Sequence, residues 1–131
     1  MTHRVLPTPA IILLIGAAIV AACSSSSYST SNNNPPQVTA DVKIVPGAQA
    51  LTTTAFSPDT FTVSLGAGGK VVFGNTDAIT HTATGTGDSA SFYTGHLASG
   101  AVDTITFTTQ GNHPFHCSIH NNMVGLVIVT P

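Results

Sequence analysis

The sequence predicts an all-β domain, a sandwich of about seven to eight strands, and three observations carry that prediction. Thr, Ser, Gly and Val abound while good helix formers other than Ala are scarce, a balance that favours strands joined by turns. Several segments alternate apolar and polar residues at period two, the mark of a half-buried strand. Clusters of Gly, Pro, Asn and Asp separate them. The chain has 131 residues, which leaves about one domain once a leader is set aside.

The leader comes first. Residues 1–9 carry Arg4, 10–22 are an unbroken run of apolar and small residues, and Val20-Ala21-Ala22-Cys23 closes it. The run is shorter than the roughly 20 residues a membrane-spanning helix needs, so 1–22 reads as a secretory signal. Its ending resembles the bacterial lipobox, which implies that Cys23 is lipidated and becomes the first mature residue. Residues 24–36, SSSSYSTSNNNPP, have no hydrophobic periodicity and read with Cys23 as a disordered tether over 23–37. Ser24 stands where an Asp would signal inner-membrane retention in Gram-negative lipoproteins. An exported chain, lipid-anchored at the cell envelope, is therefore expected, on the periplasmic side and at the outer membrane if the envelope is Gram-negative.

The domain is expected over 38–131. In 38–45, Val38, Ala40, Val42 and Ile44 alternate with polar partners, and Pro46-Gly47 ends the strand. Phe56-Ser57-Pro58-Asp59 is a turn into a strand at 60–65, and the glycines of 66–69 lead into a strand at 70–73, so the two read as arms of a hairpin. Residues 84–91 are a Gly-rich polar loop, and 92–97 has room for one helical turn, although no helix is required. Ile105 and Phe107 alternate with threonines in 104–108. Gly111 opens a further strand, and 124–129 is a continuous apolar run suited to the middle of a sandwich.

Charge excludes some functions. Only 6% of residues are charged, and beyond residue 10 there are two lysines against five aspartates, so nothing attracts nucleic acid. The two cysteines are not read as a disulfide, because each has another use. Cys23 closes the leader, and Cys117 lies in the chain's densest cluster of soft donors.

That cluster is GNHPFHCSIHNNMVGLVIV, residues 111–129, in which Cys117, His120 and Met123 follow Cys-x2-His-x2-Met spacing. A loop so short turns all three side chains toward one point when paired strands fix its ends. Thiolate and thioether favour Cu(I), imidazole accepts both oxidation states, and a His2Cys plane with a weak axial Met describes a blue-copper centre. One more imidazole is needed. His81, in NTDAITHTAT after an apolar strand, is the candidate.

The phrases FSPDTFTVSLGAGGKVVFGNTDAITHTAT and FTTQGNHPFHCSIHNNMVG together resemble the small bacterial cupredoxins, the plastocyanin, pseudoazurin and amicyanin group of type 1 copper proteins. The resemblance covers nearly the whole chain after Pro36. It implies a Greek-key β-sandwich, one copper held by His81, Cys117, His120 and Met123, and electron transfer between redox partners that dock near His120. It implies a monomer and no catalytic residues. Multicopper oxidases and nitrite reductases resemble cupredoxins but place His on both sides of the Cys, whereas here Ser118 follows Cys117. An enzyme is therefore not expected. A copper-delivery lipoprotein ranks second, since the tether has no His or Met tract.

The remaining histidines are weighed by strand alternation. His113, Phe115 and Cys117 share one face, and Pro114 and His116 the other. His116 should point away from the metal, His113 should pack or meet solvent, and His96 in a loop receives no role. The same split disfavours a zinc site of His113, His116, Cys117 and His120. Thr82 and Ser118, each beside a ligand, are placed to hydrogen-bond across the site. Ile119, Val124, Ala78 and Ile79 are the expected apolar rim.

Overall fold

A computed structural model describes residues 34–87 and 91–131. Cys23 and the tether up to residue 33 lie outside the described residues. Eight strands are described: β1 (Val42–Ile44), β2 (Phe56–Ser57), β3 (Thr60–Ser64), β4 (Lys70–Asn75), β5 (Thr84–Gly85), β6 (Val102–Thr106), β7 (Gly111–His116) and β8 (Val124–Thr130). They form two four-stranded sheets, ordered β2-β1-β4-β6 and β3-β8-β7-β5. The expected all-β sandwich is thus the fold.

Local chemistry explains most elements. In β7 the buried residues are His113 and Phe115, with Cys117 buried just beyond, while Pro114 is exposed. This is the period-two pattern of a strand with one face on the core. β8 lies between β3 and β7, and its apolar run fits that central place. Turning out of β3, Ser64 caps a 3-10 turn at Leu65–Ala67 by accepting from the Gly66 N–H at 3.1 Å. Gly69, at a positive φ of 63°, then lets the chain pass against the Phe107 carbonyl, a place with no room for a Cβ.

Several expectations change. The predicted strand at 38–45 shortens to Val42–Ile44, because Val38 and Ala40 spend their apolar side chains on the outer face of β4 at Gly74. The hairpin of 60–65 with 70–73 does not form: β3 pairs in parallel with β8, and β4 joins the other sheet between β1 and β6. The loop at 84–91 opens with β5, which pairs with β7 at Thr84↔His116 and Gly85↔Phe115. No helical turn forms at 92–97. Tyr93 and Leu97 instead make single bridges to Thr84 and His81.

The core lies between the sheets. Phe115 sits at its centre, with ring centroids of Phe56, Phe73 and Phe92 at 4.8, 5.4 and 5.9 Å. Gly125 faces it across the β7–β8 pair, where any Cβ would collide with the Phe115 ring. The core therefore reaches within two residues of Cys117 and holds the end of β7 rigid.

Candidate metal centre

Three loops meet at one end of the sandwich. The first leaves β4 and carries His81, the second joins β7 to β8 and carries Cys117, His120 and Met123, and the third, at 46–54, braces them. Cys117 and Met123 close their loop by a backbone hydrogen bond of 3.1 Å, and the Met123 N–H donates to His120 O at 3.0 Å. Asn122 Nδ2 donates to the carbonyls of Gln49 and Leu51, at 3.1 and 2.6 Å, tying this loop to the bracing one.

Asn75, fully buried at the end of β4, shapes the His81 loop. Its Nδ2 donates to Ile79 O and Leu97 O at 2.7 and 2.8 Å, and its Oδ1 accepts from the Asp77 N–H at 2.8 Å. The His81 backbone then pairs with Leu97 in both directions, N–H to O, at 3.1 and 2.8 Å. A buried residue with all its polar groups satisfied holds one conformation.

These loops bring three of the four expected ligands together as a compact cluster. Cys117 Sγ lies 3.8 Å from both His81 Nδ1 and His120 Nδ1, and the two nitrogens are 3.2 Å apart. The point equidistant from all three atoms is about 2.1 Å from each, close to metal–imidazole and metal–thiolate bond lengths. His81 and Cys117 are fully buried, and His120 is half-buried. Met123 is fully buried in the same loop.

Asp77 decides which nitrogen of His81 faces the cluster. Its Oδ2 is 2.8 Å from His81 Nε2. A carboxylate accepts, so Nε2 of the neutral ring carries the hydrogen and Nδ1 presents a lone pair. Burial opposes ionisation of Asp77. Donation from the Gly47 N–H, the His81 ring and the Ala78 N–H outweighs it and holds the pKa below the ordinary carboxylate value. Asp77 also accepts from the Ala48 N–H at 3.2 Å. The composition of the cluster, two imidazole lone pairs and a thiol within bonding distance of one point, fits a soft first-row ion and copper in particular.

Thr82 bridges the two ligand loops. Its N–H donates to Cys117 Sγ at 3.4 Å, its Oγ1 accepts from the Ser118 N–H at 2.8 Å, and Oγ1 lies 3.0 Å from both Ser118 Oγ and Thr84 Oγ1. The expected contact between Thr82 and Ser118 is present. Asp77 was the partner that sequence reasoning missed, although a carboxylate four residues before His81 was its signal in NTDAITH.

The other histidines stay apart from the cluster. His113 is buried against Phe107 at 5.0 Å between centroids, with Nε2 3.0 Å from Thr109 O. His116 is half-buried on the opposite face of β7 from Cys117, and His96 is exposed beside Tyr93. The four-residue zinc arrangement does not form.

No family model matches the sequence, and no curated protein matches it. Among solved structures, the chain is similar to a purple cupredoxin from Nitrosopumilus maritimus, at 25% identity over 70% of this chain and 100% of that one, with a TM-score of 0.61. It is similar to a copper-containing nitrite reductase from Thermus scotoductus at 25% identity and a TM-score of 0.56, covering 72% of this chain but only 23% of that one. The fold also matches the reduced Cu(I) form of an amicyanin mutant, at 22% identity over 67% of this chain and 78% of that one, with a TM-score of 0.54. The likeness to the purple cupredoxin runs that protein's full length, and His81, Cys117 and His120 converge at one end of the same sandwich, so in fold and in site the chain is similar to the small cupredoxins.

Proposed function

We propose that this copper electron-transfer cupredoxin is a one-electron carrier tethered at the cell envelope through a lipidated Cys23, cycling between redox partners that dock near His120. The observation that carries the reading is the triangle of Cys117 Sγ, His81 Nδ1 and His120 Nδ1, held within 3.8 Å by loops that hydrogen-bond to one another. Copper bound there supplies a Cu(I)/Cu(II) couple. His81, Cys117 and His120 would hold it, and Met123 of the same loop would add a weaker thioether donor.

The protein's part is to keep those donors still. Asp77 orients His81, the Thr82 N–H donates to the Cys117 sulfur, and the Asn122 amide pins the loop bearing His120 and Met123. Donors that move little between oxidation states keep the reorganisation on electron transfer small. With Nδ1 of the half-buried His120 facing the cluster, the far edge of that ring is the shortest route to solvent. Carrier rather than enzyme is the reading because three strong donors, joined by Met123, would leave no protein-free position for a substrate, unlike an open catalytic site.

The test is the visible and paramagnetic resonance spectrum of the full chain loaded with Cu(II), followed by a redox titration. An intense thiolate-to-copper band with reversible reduction is the expected result. A colourless protein that holds Cu(I) tightly would instead establish copper delivery, and failure to bind copper would remove both readings.

A further inference from the structure

The chain enters the domain at the metal-bearing end. Asn34, Pro35 and Pro36 share one cleft with Pro46, Thr76, Asp77, Ala78 and Ser99. Pro36 lies against Gly100, whose N–H donates to Asn75 O at the end of β4. Val38 and Ala40 then cross Gly74, where an added Cβ would stand 2.8 Å from each, so only glycine admits them. Further along, the Asp41 N–H donates to Val72 O at 2.9 Å and Asp41 Oδ2 accepts from the Val72 N–H at 2.8 Å. From Pro36 to Asp41 the chain thus runs back along β4, starting beside the loop that carries His81. The C-terminus is at the other end, where Pro131 O accepts from Ser64 Oγ.

The loops at that entry carry almost no charge. Segments 46–54, 76–80 and 118–123 contain no Lys, Arg or Glu and a single Asp, Asp77, which is 5% exposed. Ile79 and Ile119, close before His81 and His120 in sequence, are 41% and 45% exposed. Such a face gains nothing from electrostatic steering, so fast encounter depends on confinement with its partner.

We propose that the tether holds the His120 face toward the membrane, where its apolar rim at Ile79 and Ile119 receives a membrane-resident redox protein with an uncharged, apolar electron port. This rests on the anchored-carrier reading above. Ten residues separate Cys23 from Asn34, so the two lie at most about 37 Å apart, the fully extended length of that segment. The opposite end of the sandwich stands about 20 Å further away, the length of β7 from Gly111 to Cys117. A membrane protein on the same surface meets the metal end first, at the effective concentration a short linker supplies.

Gln49 and Gln110 are exposed at the metal end and the opposite end, respectively. The experiment places a fluorophore on Gln49→Cys or Gln110→Cys of the full, copper-loaded, lipid-bearing chain, bound to phosphatidylcholine vesicles with nitroxide headgroups. Quenching several-fold stronger at position 49 than at 110 is expected, and equal or reversed quenching overturns the orientation. A chain that does not bind the vesicles removes the anchor itself, a failure distinct from binding with both labels quenched alike. Quenching at 49 that is stronger from nitroxides deep in the acyl chains would mean that the face enters lipid, which overturns the protein partner. In membranes of the cell that makes the protein, Ile79→Asp should slow membrane-dependent copper reduction several-fold while its spectrum and the quenching pattern stay unchanged. An unchanged rate, or no reduction of the unmutated chain, overturns docking there.

Discussion

At the scale of single residues, the most informative side chain is Asp77, which stands behind His81 and does not itself face the metal position. It accepts four hydrogen bonds, three from backbone N–H groups and one from the His81 ring. Asp77→Asn keeps the volume but loses the charge and one acceptor oxygen, so His81 loses its orientation. Copper affinity should fall about 10- to 100-fold, read by competition with a chelator. The depressed pKa sets the pH dependence: the carboxylate's contribution is complete above the ordinary carboxylate range and is lost as pH falls through its lower folded value. The gap in unfolding midpoint between the two copper-free proteins should therefore close in acid. Thr82 makes a second prediction. Thr82→Val removes the oxygen shared by Ser118 and Thr84 but keeps the N–H bond to Cys117 Sγ, so stability should drop by about 1 kcal/mol per lost bond in denaturant unfolding. The thiolate band should survive. His81, Cys117 and His120 were legible because donor chemistry and loop spacing are written locally. Asp77 was legible only in its i, i+4 spacing, which carries no meaning until the loop is known to be buried.

At the scale of elements, β4, β7 and β8 could be read from their patterns, since each shows its apolar face in sequence. The segment 38–45 misled for a physical reason. Alternation reports that one side of an extended chain is apolar, not that its backbone pairs, and Val38 and Ala40 lie across Gly74 instead of in a ladder. β5 is too short for any pattern, and only its register against His116 and Phe115 reveals it. The β7–β8 pair carries the sharpest structural prediction. Phe115→Ala empties the centre of the aromatic cluster and should cost about 3–5 kcal/mol in chemical unfolding. Gly125→Ala drives a methyl into the same ring, so overpacking of about 1–3 kcal/mol is expected with no loss of buried surface. Because Phe115 is two residues before Cys117, both variants should also broaden the copper resonance. A sharp, unaltered spectrum would show that the site is insulated from the core.

At the scale of the whole molecule, no local pattern assigns strands to sheets. A turn signal such as the glycines of 66–69 says that the chain reverses, yet β3 and β4 part there into different sheets. Charge, by contrast, is a global property visible in the sequence, and it governs how the molecule meets others. The charged side chains outside the metal-bearing loops are few, with Lys43 and Lys70 the only lysines or arginines among the described residues. A pair of proteins steered together by opposite charges loses rate steeply as salt rises, because exposed charges are screened beyond about 8 Å at physiological ionic strength. Here the docking face would present apolar Ile79 and Ile119 and no exposed charge. The bimolecular rate of electron exchange with an isolated partner should therefore change less than about threefold over a tenfold range of salt. Introducing a charge inverts this: Ile119→Asp should slow exchange and make it salt-dependent, with the copper spectrum unchanged. Stopped-flow reduction at several ionic strengths makes the measurement. A steep decline for the unmutated chain would place docking on a charged surface elsewhere, and loss of copper in Ile119→Asp would mean that Ile119 supports the ligand loop instead of lining its rim.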